Sequence, residues 1–97
     1  MDGKGLLSAA IGNNLENREE DVERVKSELS KRGYYTRQVE NGIIDAESTN
    51  AIKEFQKDKG LRVDGVMMPD GETERAILAD KTYDRTDRAR RNQIVNN

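Results

Sequence analysis

Ninety-seven residues, 33% apolar and 37% charged, suffice for one small domain with a core of about 12 to 15 side chains. Neither cysteine nor histidine is present, which excludes thiol chemistry, disulfides, the usual zinc sites and the commonest general base, and leaves the redox compartment open. The net charge of -2 comes with no basic field of the kind that grips a phosphate backbone, so no nucleic-acid role is expected.

Residues 1–16 open the chain with Leu6, Leu7, Ala10, Ile11 and Leu15 at helical spacing, interrupted by Gly3, Gly5, Gly12 and two asparagines. That pattern predicts a flexible arm, or else a short helix packed on the core or on a partner. Its apolar run is too short and broken for a signal-peptide core or a membrane span. Export would therefore need another route, or a longer protein of which this is a piece.

A first helix is predicted from Asn17, read as its N-cap with Glu20 at the capping-box position. Glu19, Glu20 and Asp21 favour the positive end of the helix dipole, and Lys31 and Arg32 the negative end. Val22, Val25 and Leu29 form the apolar face, and Gly33 supplies the stop. Of Tyr34 and Tyr35, one should pack inward and the other line a surface groove.

A polar connector, Thr36 to Asn41, leads to a pattern stated twice. Gly42-Ile43-Ile44-Asp45 precedes Ser48 and Ala51-Ile52, and Gly65-Val66-Met67-Met68-Pro69 precedes Thr73 and Ala76-Ile77. Each statement reads as a glycine turn, a short extended piece into the core, and a helix start. Asp45 is the predicted N-cap of the second helix, with Ser48 at N3, Phe55 on the buried face and Lys59-Gly60 at the end. Leu61 and Val63 alternate with charged residues as a short strand, and the two extended pieces could pair as a miniature sheet. A third helix follows from about Glu72 to Ala79, with Ala76, Ile77 and Leu78 against the core. Residues 80–97 lose the apolar pattern and read as a charged tail or linker, whose Arg85, Arg88, Arg90 and Arg91 are diluted by aspartates.

Catalysis is not expected. Nineteen acidic residues produce carboxylate pairs by chance, and a core this small rarely holds two across a cleft. Ser48 has no histidine or buried lysine to activate it. No glycine-rich phosphate loop exists, because Gly60 and Gly65 are not followed by Lys-Ser/Thr. No cofactor and no metal are implied.

The succession Gly33-Tyr34-Tyr35, Asn41-Gly42-Ile43, Ser48, Ala51-Ile52, Phe55-Gln56, Gly60-Leu61, Val63-Asp64-Gly65-Val66, Pro69 and Thr73 resembles the peptidoglycan-binding domain of the three-helix type. The likeness spans about residues 18 to 79. It departs from the family pattern at Asn41, where Asp is usual, at Ile44-Asp45 in place of Phe-Gly, at Ser48 for Thr, and at Met68 for the Gly before Pro69. Asp70-Gly71 adds two residues ahead of the third helix.

The resemblance implies an all-α fold, a small orthogonal three-helix bundle with short extended turns before helices two and three. It implies a domain over residues 17–79 flanked by the arm and the tail. It also implies a non-catalytic module for peptidoglycan or its stem peptide, tethering a hydrolase or another protein in the cell envelope or on a phage particle. Candidate ligand residues are Tyr34, Tyr35, Arg37, Gln56, Arg62 and Asp64. Tyrosine can stack, arginine can pair with stem-peptide carboxylates, and aspartate can meet the amine of a diamino acid. The alternative use of the same fold is a protein-interaction or assembly module without wall affinity.

Overall fold

A computed structural model describes residues 6–39 and 41–80. The described chain is all-α: α1 spans Glu19–Lys31, α2 Ala46–Asp58 and α3 Glu72–Ala79. The basic cluster of residues 85–91 lies outside the described residues. Among the described residues, no helix is long and apolar enough to cross a membrane, and no cluster of acidic side chains could hold a metal ion.

Val22, Val25 and Leu29 recur at i, i+3 and i+7, so a single face of α1 is apolar, and all three are buried. They meet Ala51, Ile52 and Phe55 of α2 and Ile77 of α3 in one cluster. Burial of each larger side chain is worth roughly 1.5–3 kcal/mol against exposure. Leu78, expected in that cluster, is 46% exposed, because Ile77 occupies the inward position of this short helix.

Both long helices end in the same way. After α1, Gly33 adopts φ 86°, its N–H donates to the Ser30 carbonyl, and the Tyr34 N–H reaches back to Leu29. After α2, Gly60 has φ 71°, donates to Lys57, and Leu61 donates to Gln56. These are Schellman closures, in which a left-handed residue lets two orphan carbonyls find donors. Gly42 serves differently: a Cβ there would lie 2.0 Å from the Glu19 carbonyl oxygen, so the turn before α2 packs directly on the start of α1.

The start of α2 follows the predicted capping box. Asp45 Oδ1 accepts from the Ser48 N–H at 2.7 Å, and the Asp45 N–H donates to Ser48 Oγ at 2.9 Å. The start of α1 does not. Arg18 is its N-cap and makes no side-chain cap bond. Asn17 instead takes φ 52° and turns its carboxamide toward the preceding loop, accepting from the Gly12 N–H and donating to the Gly12 and Leu15 carbonyls. That loop offers it three partners where the helix offers one.

The segment 6–17 carries no helix and is not detached. Leu7, Ala9 and Ile11 are buried, alternating along an irregular extended strap. Two carboxylates inside the domain hold it. Glu74 accepts from the Leu7 N–H at 2.7 Å, and Asp21 accepts from the Ser8 and Ala9 N–H groups and the Ser8 hydroxyl. Ile11 and Met67 then exchange N–H···O bonds of 2.9 Å in an isolated antiparallel bridge. The miniature sheet expected between the two post-glycine pieces is absent among the described residues, because the strap takes the Met67 edge first. Ile43 is correspondingly 64% exposed, and only Ile44 packs against the core. Leu61–Val63 forms no strand, and Val63 is 51% exposed.

Asp80 belongs to the folded body. Its carboxylate accepts from Arg32 Nε at 2.9 Å and lies 3.6 Å from Lys59 Nζ, and the guanidinium also donates to the Ile77 carbonyl. The C-terminal ends of all three helices thus meet at one ion cluster, in which Arg32 and Asp80 are buried and Lys59 reaches in from the surface.

Candidate ligand cleft

The first wall of the site is the opening of α2. Asp45 is held by the capping box, and its second oxygen lies 3.4 Å from both Lys26 Nζ and the Tyr35 hydroxyl. Burial pushes the Asp45 carboxyl up, but the bonds from Ser48 and the charge of Lys26 outweigh it, leaving it below the usual carboxylate range. Ser48 Oγ is occupied on both sides, accepting from the Asp45 N–H and donating to the Asp45 carbonyl. It is a capping group. Beyond the cap, Thr49, Asn50 and Lys53 form the outward stripe of α2.

The opposite wall is the turn Asp64-Gly65-Val66, and Gln56 builds it from below. The Gln56 side chain is buried; its Oε1 accepts from the Asp64 and Gly65 N–H groups at 3.1 and 3.0 Å. Its Nε2 donates to Asp64 Oδ1, the Val66 carbonyl and Thr73 Oγ1 at 2.9, 3.1 and 3.0 Å. Two lone pairs and two N–H groups are therefore all engaged. Gly65 takes φ 71°, and a Cβ on it would come within 3.1 Å of Lys53 Cε and Thr49 Cγ2. Only glycine allows the turn to close this tightly against α2. Burial raises the Asp64 carboxyl, but bonds from the Val66 N–H and Gln56 and the charge of Arg62 hold it below the ordinary value.

Between these walls lies a cleft of about 550 Å³, bordered also by Ile44 and by Asn13 of the strap. Past Asp64 and Val66 it continues into a second hollow of about 420 Å³ beside Arg62, Met68 and Glu72. Both fall in the size class that small ligands occupy. Two further depressions are smaller, about 170 Å³ beside Tyr34 and Tyr35 and about 110 Å³ beside Tyr35 and Arg37.

The six residues singled out from the sequence are thus not brought into one groove. Arg62 and Asp64 sit together at the junction of the two larger hollows, 3.6 Å apart, with the Arg62 side chain 83% exposed. Tyr34, Tyr35 and Arg37 lie on the other flank of α2. Tyr35 is the inward tyrosine, 4% exposed and under Lys26 Nζ, with only an edge toward the small depressions. Tyr34 is half-buried, stands edge-on to Phe55 and donates to Asp58 at 2.7 Å. Arg37 is exposed and pairs with Glu47 at 3.2 Å. Gln56 leaves the candidate set, since its amide is consumed by the turn.

Sequence reasoning missed Thr49, Asn50, Lys53 and Asn13. The three on α2 occupy positions that helical periodicity assigns to solvent, and only the approach of Gly65 turns that stripe into a wall. Asn13 was hidden in a segment with no clear periodicity.

The arrangement presents carboxamides, a hydroxyl, one lysine and two carboxylates around apolar patches from Ile44 and Val66. Such a surface can hydrogen-bond amides and pair with charged groups, and it offers no activated nucleophile. A search of curated proteins and of solved structures found no match. A family model described as "Putative peptidoglycan binding domain" matches residues 18–77, which include α1, α2, the Gln56-built turn and most of α3. The chain belongs to the peptidoglycan-binding domain family.

Proposed function

We propose that this chain is a non-catalytic module that holds cell-wall peptidoglycan in the cleft between α2 and the Asp64–Val66 turn, and so tethers an attached or partner protein to the wall. The observation that carries the reading is the family match over residues 18–77, the segment that supplies all of the cleft except Asn13. Thr49 and Asn50 hydrogen-bond the polymer's amides and hydroxyls, Lys53 and Arg62 meet stem-peptide carboxylates, and Asp64 meets an amine. The charge of Asp64 persists well into acid, as its lowered pKa requires. Tyr34 and Arg37 are secondary contacts reached around α2. In this reading the folded body through Asp80, strap included, is the wall-binding unit, and the chain after Asp80 links it to a protein such as a wall hydrolase, in a bacterial envelope or on a phage particle.

Co-sedimentation with purified sacculi tests this. The chain is retained at low salt, Asn50→Trp abolishes retention by filling the cleft, and Arg62→Ala weakens it without changing the fold. Absence of retention at low salt overturns the reading in favour of an interaction or assembly module.

A further inference from the structure

The family match begins at residue 18, yet the cleft has a wall that comes from before it. Asn13 stands in the turn Gly12–Leu15, closed by the Leu15 N–H on the Gly12 carbonyl at 3.1 Å. The two ends of that turn are held. The Asn17 carboxamide brackets Gly12 through its N–H and its carbonyl, both at 2.8 Å. Asn14 takes the left-handed conformation at φ 66°, and Gly12 at φ 152° sits where a Cβ would touch Val66 Cγ2 at 3.0 Å. Upstream, the strap is clamped by buried Asp21 and Glu74 and by the Ile11–Met67 bridge. The turn is thus seated against Val66, the same residue that lines the cleft, and it leaves Asn13 exposed at the rim.

We propose that the N-terminal strap completes the cleft, contributing the Asn13 carboxamide to the hollow that Asn50 also lines, so that the two recognise a secondary amide of the bound wall polymer. A carboxamide carries both N–H donors and a carbonyl acceptor, so two of them can serve the oppositely directed C=O and N–H of one secondary amide. Because the turn is already ordered, little conformational freedom is lost when a ligand binds. Stem-peptide bonds and the N-acetyl groups of the glycan share this chemistry. The inference rests on the wall-binding reading above.

The test measures half-saturation of the full chain on purified sacculi, with free stem tripeptide and chitotetraose as competitors. Asn13→Ala raises the half-saturating concentration about 5- to 10-fold, the worth of one or two hydrogen bonds, and leaves the melting temperature unchanged. Asn13→Asp, which keeps the shape but replaces the donor by a charge, fails to restore binding. Competition by the tripeptide assigns the amide to the stem peptide, and competition by chitotetraose assigns it to the glycan. Wild-type affinity in Asn13→Ala, or full recovery in Asn13→Asp, overturns the role of Asn13; if Asn50→Trp still abolishes retention, the wall-binding reading survives. A wild-type chain that does not bind sacculi overturns both.

Discussion

Replacing Gln56 by glutamate exchanges one NH₂ group for an oxygen, yet it should be among the most damaging substitutions in this domain. The retained oxygen can still accept from the Asp64 and Gly65 N–H groups. The new oxygen replaces a donor that now serves Asp64 Oδ1, the Val66 carbonyl and Thr73 Oγ1. Two carboxylates would face each other across the 2.9 Å that the amide bridges. Relaxed to about 4 Å, their repulsion is about 1 kcal/mol in water and about 4 kcal/mol at an effective dielectric of 20. The Asp64 side chain is 37% exposed, which places the cost near 2 kcal/mol. Losing the bonds to Val66 and Thr73 adds roughly 1–2 kcal/mol. A total of about 3–4 kcal/mol lowers the melting temperature by roughly 15–25 °C in a domain this small.

The pH dependence separates this account from a simple loss of packing. Burial and the Asp64 charge raise the introduced carboxyl's pKa in the folded state above its unfolded value. The penalty is then absent below the unfolded value and grows as pH rises toward the folded one. Thermal melts of wild type and Gln56→Glu should therefore differ much less at pH 4 than at pH 7, whereas Gln56→Leu should show a smaller change in its deficit. A Gln56→Glu variant that melts within a few degrees of wild type at pH 7, or whose deficit ignores pH, refutes the reasoning.

Gly42→Ala should cost about 3 kcal/mol, because its Cβ meets a backbone carbonyl that cannot step aside. Gly33→Ala meets nothing within 4 Å and should cost only about 1 kcal/mol for its positive φ, a contrast that urea titrations resolve. A chain beginning at Arg18 loses the burial of Leu7, Ala9 and Ile11, worth roughly 4–6 kcal/mol, and should give a non-cooperative melt by circular dichroism. Asp21, Glu28, Asp45 and Asp64 all sit below their ordinary pKa values, so the stability they confer is complete above those values and is lost as pH falls through the lowered folded ones. Melting temperatures should fall below about pH 4, and Asp21→Asn should flatten that fall while lowering the plateau at pH 7.

What was legible in the sequence was local. The Asp45–Ser48 cap, the Gly33 and Gly60 stops and the Val22-Val25-Leu29 stripe each state their purpose within a few residues, and the first two helices follow from them. The strap was illegible because its partners, Asp21, Met67 and Glu74, are scattered along the chain and none advertises a bond to residues 7–11. Asn17 misled for a related reason: a helix cap and a loop brace use the same carboxamide, and only the position of Gly12 decides between them. Of the residues singled out from the sequence, Arg62 and Asp64 border the larger hollows, and charge beside a glycine turn is visible in the chain. Gln56 looked like a ligand residue for the property that makes it a brace, a full complement of donors and acceptors.

The buried clasp of Arg32 with Asp80 has a mechanical consequence. Tension applied through residues beyond 80 reaches Asp80 first, and the guanidinium passes it to the end of α1 before the short helix α3 can peel. The clasp lies at the Lys59 end of α2, and the Asp45 cap stands about 20 Å away at the other end of a helix of this length. A load on the trailing chain is therefore shared with α1 from its first contact with the folded body.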